Sequence, residues 1–459
     1  MIHVENLVGG KFITLEEKFD DISPLDFSVI ATIPRTKKID DAVEAAKSAL
    51  TEWSGLRIEE RCDWLDKIAD ELEKEIDEVA RLESLDTGKP MEVALNVDAA
   101  RSVNNFRFFA EFGRSLESQH FEMPDATNYV LRKPIGIVGL ISPWNLPLYL
   151  LSWKIAPALL MGNTIIAKPS EITPLTAHLL GQICTKIGLP AGVLNIVNGY
   201  GPEVGQAIVE HPEIKAISFT GGTSTGKIVA ATAAPMFKKL SLELGGKNAS
   251  IILADADLDL AVPGVLRASF LNSGQICLCG SRVLIHASIY DEFMERYLHE
   301  LKSFNIGPVI SEEHRKKVLS YIDLATEEGG VILAGGKAPD KLGAWIEPTV
   351  IAGLSHNSRT ATEEIFGPVV TIHKFDSDKE AIEMANSTQY GLAGSVWSRD
   401  RGFEVAKEIE SGMVWVNTWL HRDLRVPFGG VKDSGVGREG GLWSIGFFSE
   451  AVNICVMED

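Results

Sequence analysis

The stretch SFTGGTSTGK at residues 218–227 carries three overlapping motifs, and each belongs to a different chemistry. Its G-x4-G-K spacing is nearly that of a nucleotide-binding P-loop, whose backbone N–H groups hold phosphates. The letters GTSTG match the G-x-S-x-G turn that exposes a nucleophilic serine, which here is Ser224. The same glycines also suit a turn that presents a dinucleotide phosphate to a helix N-terminus. A glycine-rich turn without any chemistry is the ordinary alternative.

The first two chemistries each lack a part that they require. A P-loop needs Ser or Thr directly after its lysine to bind magnesium, and Ile228 stands there. The serine turn has a strand pattern before it and a helix pattern after it, but no HGGG-type oxyanion loop precedes it. A serine hydrolase that uses Ser224 remains the alternative from another enzyme class. A second glycine motif, at residues 435–440, fits G-x-G-x-x-G but follows no clear strand pattern.

Strand and helix patterns alternate around the first of these motifs. Short apolar runs predict strands, and the runs are IGIVGLI (135–141), TIIA (164–167), GVLNIV (192–197), AISF (216–219) and KLSLEL (239–244). Apolar residues at three- and four-residue spacing predict helices over 39–82, 91–113 and 148–160, with others from Pro174 and Thr223. This alternation predicts βαβ units and a parallel, doubly wound sheet, which binds ligands at the carboxyl ends of its strands. The sequence DTGKP at residues 86–90 predicts the end of a helix.

Length and charge limit the possible functions. A chain of 459 residues predicts two or three domains, and a second α/β pattern runs from about residue 247 to residue 440. The net charge is 44 − 63 = −19, and so acidic a surface repels phosphates. The charge therefore argues against nucleic acids and anionic membranes as partners. An anionic substrate would need arginines placed at its own site.

Cysteine usage and the apolar segments bear on location. Five cysteines without regular spacing do not indicate a disulfide framework, and they predict a reducing, cytoplasmic location. The first residues, MIHVENLVGGKF, lack the basic and apolar regions of a secretory signal. Prolines and Lys154 interrupt the most apolar region, 136–167, so we expect no membrane-spanning helix there. No histidine stands with cysteines or carboxylates at metal-ligand spacing, so we expect no metal.

Several motifs follow one another along most of the chain. They are ISPWNLPLY, AKPSE, SFTGGTSTG, LELGGKN, NSGQIC, EEIFGPV and PFGGVKDSGVGRE. In this order they resemble the NAD(P)-dependent aldehyde dehydrogenase superfamily, and the resemblance covers essentially the whole chain. It implies an α/β fold with a doubly wound parallel-sheet NAD domain, an α/β catalytic domain and a small β oligomerisation unit. Residues 218–227 then resemble the family's phosphate-side loop, except that Gly222 stands where the family usually has serine.

The resemblance assigns three catalytic roles. An aldehyde is a poor hydride donor until a nucleophile adds to its carbonyl, and Cys277 matches the family's nucleophilic thiol. Asn145 matches the amide that stabilises the resulting oxyanion together with the Cys277 N–H. Glu243 matches the general base that activates water for thioester hydrolysis. Cys279 lies two residues beyond the nucleophile, either as a bystander or as a partner in its oxidation.

Each of these three residues also has an ordinary structural interpretation. A single cysteine such as Cys277 is more often a small buried hydrophobic residue than a nucleophile. Asn145 stands between prolines, where an asparagine commonly forms a turn. The alternation of leucines places Glu243 on the opposite face of its strand, which taken alone predicts a solvated carboxylate.

The cofactor residues also follow from the resemblance. Lys168 and Glu171 match the residues that bind the adenine ribose, and a carboxylate there accepts from the 2′-hydroxyl and repels a 2′-phosphate, which favours NAD over NADP. Glu364 and Phe366 match the contacts to the nicotinamide ribose. The remaining implied contacts are Trp144, Ser170, Phe219, Thr220, Gly221, Gly222, Thr223, Gly226, Leu244 and Gly245. After Ile306 the chain is shorter than the family usually is, in a loop whose far side reaches the cofactor.

Within the superfamily, the chain most resembles the 2-aminomuconic and 2-hydroxymuconic semialdehyde dehydrogenase branch. The similar segments are RSVNNFRFFA (101–110), LISPWNLPLYLLSWKIAPA (140–158), CLCGSR (277–282) and NTWLHRDLRVPFGG (417–430). The arginines that hold the substrate carboxylates in that branch match Arg101 and Arg422. The alternatives are structural ion pairs for both arginines, a broader aliphatic, betaine or succinic semialdehyde dehydrogenase, and a catalytically silent scaffold.

The resemblance also suggests how the chain is divided. We expect an NAD-binding domain over residues 1–115 and 135–245 and a catalytic domain over residues 246–445. Residues 116–134 and 446–459 are expected to form oligomerisation strands, because exposed strand edges commonly pair with another subunit. A homodimer or homotetramer is the implied assembly.

Overall fold

A computed structural model describes residues 1–457 of the chain. Its strands are β1 (Ile2–His3), β2 (Asn6–Val8), β3 (Lys11–Ile13), β4 (Lys18–Ile22), β5 (Val29–Pro34), β6 (Gln119–Glu122), β7 (Ala126–Pro134), β8 (Ile137–Ile141), β9 (Thr164–Lys168), β10 (Leu194–Ile196), β11 (Ile214–Thr220), β12 (Lys239–Glu243), β13 (Ala249–Ile252), β14 (Arg282–His286), β15 (Val331–Ala334), β16 (Thr349–Ala352), β17 (Val369–Phe375), β18 (Tyr390–Gly391), β19 (Ala393–Trp397), β20 (Met413–Val416), β21 (Val431–Lys432), β22 (Gly435–Val436) and β23 (Ser449–Met457).

The α-helices lie between these strands. They are α1 (Asp40–Gly55), α2 (Ile58–Lys74), α3 (Ile76–Thr87), α4 (Met91–Val93), α5 (Ala100–Arg114), α6 (Pro147–Leu160), α7 (Leu175–Lys186), α8 (Gln206–Glu210), α9 (Thr223–Ala233), α10 (Leu258–Phe270), α11 (Tyr290–Leu301), α12 (Glu312–Glu327), α13 (Arg359–Thr362), α14 (Asp378–Asn386), α15 (Gly402–Lys407) and α16 (Gly441–Phe447).

The first large sheet has eight strands in the order β22-β12-β11-β8-β9-β10-β2-β3. Its central strands pair in parallel, and antiparallel strands close both edges. The chain builds outward from β8 in both directions, which confirms the doubly wound parallel sheet. The order reverses between β8 and β11, so the loops that follow these two strands lie side by side. Such a reversal point is where doubly wound sheets bind their ligands.

The second large sheet has seven strands in the order β15-β16-β17-β14-β13-β19-β20. All of its pairs are parallel except the edge pair of β15 with β16. It contains the second α/β pattern of the sequence. The short strand β22 crosses back to pair with β12 of the first sheet, so the chain beyond β20 bridges the two sheets. The domain boundaries expected from the sequence remain a prediction.

A separate antiparallel sheet joins two distant parts of the chain in the order β23-β7-β6. Its main ladder pairs Ser449 with Pro134 at one end and Met457 with Ala126 at the other. These strands fall within the two segments expected to be extended, although that expectation also included residues 446 and 447, which end helix α16. Residues 458 and 459 of the expected segment lie outside the described residues.

The helices of the first half follow the sequence patterns, with one difference. Helix α3 ends at Thr87 because Gly88 takes a φ of 71°, and a Cβ there would lie 2.6 Å from Cγ of Pro308. The continuous α-helix expected over 91–113 is interrupted, because a π-helical turn at Ala94–Ala99 separates α4 from α5. Such turns carry one residue more per turn and are common near functional sites.

Helix α6 occupies the middle of the apolar region 136–167, and every one of its residues is buried. It packs among α2, α5 and the first sheet, in the largest hydrophobic core of the protein. The apolar character of this region therefore reflects a fully buried helix. Within residues 1–457, no helix combines the length and the apolar character needed to cross a membrane.

Candidate active site

A continuous cleft opens at the carboxyl ends of the central strands of the first sheet. Its inner section encloses about 270 Å³ and reaches Cys277, Asn145 and Glu364. Its outer section encloses about 480 Å³ and reaches Lys168 and Glu171. The two sections share the loops after β8 and β11, with the residues Pro143, Trp144, Thr220, Gly221 and Gly222. The structure thus brings most of the site residues expected from the sequence into one cleft.

Cys277 is half-buried and lies in the wall of the inner section. The chain reaches it through a tight turn in which Asn272 and Ser273 take φ values of 53° and 58°. The Cys277 carbonyl accepts a hydrogen bond of 2.7 Å from Nδ2 of Asn248, which fixes the backbone at the thiol. Cys279 is buried, and its Sγ lies 3.8 Å from the Leu271 carbonyl oxygen. Burial raises the pKa of Cys279 to about 12, so this second thiol is poorly reactive.

Asn145 is buried at the bottom of the inner section. Its side-chain Nδ2 donates a 2.9 Å hydrogen bond to the Gln275 carbonyl, two residues before Cys277. Its own carbonyl accepts from Nζ of Lys89 and from Nδ2 of Asn272, each at 3.0 Å. The Asn145 amide therefore lies against the segment that leads to the thiol, where it can reach an oxygen bound there.

Glu243 ends strand β12 and is only 4% exposed, which excludes the solvated carboxylate suggested by the leucine alternation. Neither of its carboxyl oxygens has a hydrogen-bond partner among the described residues. Burial raises the pKa of Glu243 well above the usual range, and the negative charge of Glu439 raises it further. Three cations act in the opposite direction, namely Lys154, Arg438 and Arg422. A carboxyl with a raised pKa is suited to take up a proton near neutral pH.

A buried ion pair beside Glu243 was not found by sequence reasoning. Nζ of Lys154 lies 2.8 Å from Oε1 of Glu439 and 2.8 Å from Oγ of Ser218. The only signal in the sequence was a lysine inside a helix that is otherwise apolar. Its partner is 285 residues away, and nothing in the sequence around Glu439 indicates the pairing.

The charge environment of the Cys277 thiol favours its neutral form. Burial raises the pKa of Cys277, nearby Glu243 and Glu364 raise it further, and Arg422 acts in the opposite direction. The thiol therefore needs a proton acceptor when it reacts. Glu243 is the carboxyl that raises the pKa of Cys277 most, so a charged Glu243 and a Cys277 thiolate disfavour each other.

The outer section ends at a lysine and a carboxylate. Nζ of the buried Lys168 lies 2.9 Å from Oε2 of Glu171. Burial opposes the charged form of Glu171, but Lys168 and backbone N–H groups, among them that of Gly201, together outweigh burial and lower the pKa of Glu171. Ser170 and Phe219 complete this part of the wall. A charged carboxylate at the edge of an open cleft suits the paired hydroxyls of a ribose.

The loop between β11 and α9 forms the narrow part of the cleft. An added Cβ at Gly222 would meet no atom within 4 Å, so the space in front of the α9 N-terminus is open. Thr223 begins α9, and its Oγ1 accepts from the Gly245 N–H at 3.2 Å. Because helix N-termini attract phosphate, this part suits the pyrophosphate of a dinucleotide. The glycine at 222 leaves that approach unobstructed.

Not every residue expected at the cofactor lines the cleft. Leu244 and Gly245 contribute to the inner wall, but Gly226 packs against Leu244, where a Cβ would lie 2.4 Å from Leu244 Cδ2. Gly226 therefore allows α9 to approach β12.

Ser224 is exposed on α9 and has no histidine or carboxylate partner within residues 1–457, which removes the basis of the hydrolase alternative. Lys227 pairs with Asp433 at 2.8 Å.

An aromatic group closes the inner section on the side of the second sheet. Trp144 meets Phe366 edge to face at 5.3 Å, and the ring of His314 lies 5.4 Å from Trp144. Nε2 of His314 lies 2.6 Å from the Phe366 carbonyl and must carry the proton, because a carbonyl only accepts. Burial lowers the pKa of His314 to about 4. Sequence reasoning missed His314, and also Lys317, which lines the same wall.

Glu364 stands beside this aromatic group. Its Oε1 accepts the Gly246 N–H at 2.8 Å, and burial raises its pKa. The short connection after Ile306 is tied to the loop before Cys277, because the Ile310 N–H donates to Oε1 of Gln275 at 2.9 Å. Oγ of Ser273 likewise donates to the Gly307 carbonyl at 2.7 Å. The shortened segment therefore holds the thiol loop and the start of α12 together.

Arg101 and Arg422 meet at Tyr149. The Arg101 guanidinium lies over the Tyr149 ring at 5.5 Å, and Nη1 of Arg422 donates to the tyrosine hydroxyl at 3.2 Å. Neither arginine forms an ion pair with a carboxylate in the described part of the chain, which excludes their interpretation as structural ion pairs. Nη2 of Arg422 is buried without a partner, and Arg101 and Arg422 are close enough for each charge to affect the other. The arrangement can receive a carboxylate.

No group of three or more His, Cys, Asp or Glu side chains within residues 1–457 is placed to hold a metal ion.

Comparison with known proteins gives consistent matches. A sequence model of the aldehyde dehydrogenase family matches residues 12–454. The 2-aminomuconic 6-semialdehyde dehydrogenase of a Pseudomonas species is 45% identical over 100% of this chain and 99% of its own length. The 2-hydroxymuconic semialdehyde dehydrogenase of Pseudomonas sp. strain CF600 is 43% identical over 99% of this chain and 100% of its own length. The solved NAD⁺ complex of an aldehyde dehydrogenase from Bacillus cereus is 37% identical with a TM-score of 0.97, and the match covers 100% of this chain and 97% of that chain.

Proposed function

The chain belongs to the aldehyde dehydrogenase family, and from this premise we propose that it uses NAD to oxidise a semialdehyde bearing carboxylate to the corresponding acid. The observation that carries the proposal is the single cleft joining the Cys277 thiol to the Lys168–Glu171 pair. A substrate oxidised at one end and a dinucleotide held at the other require such a connected cleft. The alternative within the family is a broader aliphatic, betaine or succinic semialdehyde dehydrogenase.

The first chemical step is addition of the Cys277 sulfur to the aldehyde carbon. A new carbon–sulfur bond forms, the carbonyl π electrons move to oxygen, and the thiol proton passes to a base. The Asn145 amide, which lies against the segment before Cys277, donates to the oxygen as its charge develops. The product of this step is a thiohemiacetal on Cys277.

The Lys168–Glu171 pair and the loop before α9 would hold NAD, which would supply the hydride acceptor for conversion of this adduct into a thioester. The protein's own residues then carry out the hydrolysis of the thioester. Glu243 takes a proton from a water molecule, the water oxygen attacks the thioester carbon, and the carbon–sulfur bond breaks to release the acid. The Lys154–Glu439 pair lies beside Glu243 and acts on it in opposite directions, since Lys154 favours the carboxylate and Glu439 favours the protonated acid.

Cofactor choice is proposed to rest on Glu171. Its carboxylate is held by Lys168 and faces the outer section of the cleft. It can accept hydrogen bonds from ribose hydroxyls, whereas a 2′-phosphate at that place would be repelled. We therefore expect the enzyme to use NAD in preference to NADP.

The substrate class rests on Arg101 and Arg422. Two guanidinium groups that are partly buried close together without carboxylate partners repel each other, and an anion bound between them would remove that cost. Two relatives that are 45% and 43% identical to this chain act on muconic semialdehydes according to their names. A small semialdehyde that carries carboxylate supplies both the reactive carbonyl and the missing anion.

We propose that the β6-β7-β23 sheet joins copies of this chain into an oligomer. Exposed apolar side chains on the β6-β7-β23 sheet, among them Phe121, Tyr129 and Ile454, support its use as a contact between subunits. A homodimer or homotetramer would result. The cysteines of the described residues are all free, which supports a reducing compartment such as the cytoplasm.

The test is NADH formation with a panel of aldehydes. The panel contains 2-aminomuconic and 2-hydroxymuconic semialdehyde, succinic semialdehyde, betaine aldehyde and hexanal. We expect the highest kcat/KM on a muconic semialdehyde. A preference for hexanal or betaine aldehyde would favour the broader-specificity alternative, and no NADH with any aldehyde would favour a silent scaffold.

A further inference from the structure

A buried ion pair lies beneath the inner section of the cleft and takes part in none of the chemical steps above. Nζ of Lys89 lies 2.7 Å from Oδ1 of Asp98, and the two side chains are 2% and 0% exposed. The sequence indicated only that Lys89 belongs to the DTGKP segment that ends a helix. The pair therefore has a position in the fold but no assigned role.

Such a pair is costly to bury. Removing two charges from water is only partly compensated by their attraction, and apolar residues of similar size would often be at least as stable. Oδ2 of Asp98 also has no hydrogen-bond partner in the described residues. Fold stability alone is a poor explanation for the pair, and its contacts suggest a better one.

Lys89 connects the pair to Asn145, the residue expected to stabilise the oxyanion. Besides Asp98, Nζ of Lys89 donates to the Asn145 carbonyl at 3.0 Å. The backbone of Asn145 is thereby fixed by a buried ammonium group. The side chain of Asn145 therefore extends from a peptide group whose position is fixed by this hydrogen bond.

The other member of the pair, Asp98, lies on the helical run that carries the substrate arginine Arg101. Asp98 lies in the π-helical turn Ala94–Ala99, and Arg101 follows about one turn later on the same helical run. Residues about one turn apart share a face of a helix, so anchoring Asp98 also fixes where that face points. Arg101 then lies over the Tyr149 ring.

We infer that the Lys89–Asp98 pair is a positioning device that sets the separation between Asn145, where the aldehyde oxygen is held, and Arg101, where the distal carboxylate is held. The inference rests on the proposed function, because it requires a substrate with both groups. The pair joins the helical run that carries one contact to the turn that carries the other. It thus selects semialdehydes of matching length.

The main test replaces the pair by neutral side chains of similar size, in the double variant Lys89→Met/Asp98→Asn. Changing both residues removes the two charges of the pair together, so neither member stays buried without the other. The readout is kcat/KM on 2-hydroxymuconic semialdehyde divided by kcat/KM on hexanal, which lacks the carboxylate. We expect this ratio to fall roughly tenfold or more, because a misplacement near 1 Å commonly costs up to about a hundredfold. NAD affinity should stay at the wild-type value, since the pair does not line the outer section.

Asp98→Glu is the second variant. It keeps both charges and lengthens the connection by one methylene, so it remains informative if the double variant does not fold. We expect the same direction of change in the ratio. The matched control is Lys238→Met, since Lys238 is likewise buried but donates to the backbone carbonyls of Val209 and His211. This control should lower the melting temperature and leave the ratio unchanged.

The outcomes separate this inference from the proposed function. If wild-type enzyme does not prefer the muconic semialdehyde over hexanal, the proposed substrate is wrong. If wild type shows that preference and a folded variant that binds NAD keeps the same ratio, the positioning role is wrong. A general loss of activity on both substrates, with the ratio unchanged, would also overturn it and indicate a purely structural pair.

Discussion

Nη1 of Arg422 lies 3.2 Å from the hydroxyl oxygen of Tyr149. The same tyrosine presents its ring to the Arg101 guanidinium, so one aromatic side chain holds two cations that come from opposite ends of the chain. A carboxylate bound there would receive charge-assisted hydrogen bonds while the aldehyde reaches Cys277.

Arg101→Ala and Arg422→Ala should each lower kcat/KM on a muconic semialdehyde by roughly ten- to a hundredfold, since a charge-assisted bond contributes about 1.5–3 kcal/mol. Hexanal should be almost unaffected, because it has no carboxylate to bind. The measurement is kcat/KM for the two variants and wild type on both substrates. Equal losses on the two substrates would mean that the arginines support the fold.

Cys277→Ala should abolish NADH formation and leave NAD affinity nearly intact, because the thiol lines only the inner section of the cleft. Titration of NAD by calorimetry and a steady-state assay check the two parts. Cys279→Ala is the matched control and should keep its activity, because that thiol is buried next to the Leu271 carbonyl. More than a few per cent residual activity in Cys277→Ala would contradict the assignment.

Glu243→Gln should give a single burst of NADH and then stall. The thioester would form on Cys277, and no carboxylate would remain to activate water for its hydrolysis. Rapid-mixing kinetics measure the burst, and mass spectrometry of the stalled protein should find the acyl group on Cys277. Loss of the burst itself would show that Glu243 is needed earlier, to remove the thiol proton.

The rate of thioester hydrolysis should rise with pH, with a midpoint above the ordinary range of glutamate. Burial and Glu439 raise the pKa of Glu243, so its proton is lost only at higher pH and the basic form appears there. Glu439→Gln removes a negative neighbour and should shift this midpoint to lower pH, while Lys154 can still donate to the new amide. The pH dependence of the single-turnover rate checks this, and an upward shift would contradict it.

Glu171→Ser should raise the use of NADP relative to NAD, by removing the negative charge and opening space for a 2′-phosphate. The loss of the hydroxyl acceptor should weaken NAD binding at the same time. The measurement is kcat/KM for both cofactors at saturating aldehyde. A wild-type enzyme that already prefers NADP would overturn this account of Glu171.

The sequence was sufficient for features that depend on local pattern. Short apolar runs located the central strands, and the glycine at 88 located the end of α3. Ordered motifs led to Cys277, Glu243 and Asn145, which the fold places near one another. The surrounding glycines and prolines make these motifs recognisable.

Pairings between distant residues could not be found in the same way. Lys154 with Glu439 and Lys89 with Asp98 are ordinary residue types until the fold brings them into contact. His314 was missed because its role depends on a backbone carbonyl, which no side-chain pattern marks. The π-helical turn was missed because one extra residue per turn hardly alters an apolar pattern.

The ladder between β7 and β23 has a consequence for how the protein is made. Asn128 and Asn453 hydrogen-bond across it, although they are 325 residues apart in the chain. At a synthesis rate of about 5–20 residues per second, β7 leaves the ribosome on the order of tens of seconds before its partner strand exists. During that time β6 can cover one edge of β7, and the edge that pairs with β23 in the complete protein has no partner. The second edge of β7 therefore stays unpaired until the last residues of the chain have been made, and an unpaired strand edge is where another chain can add a strand.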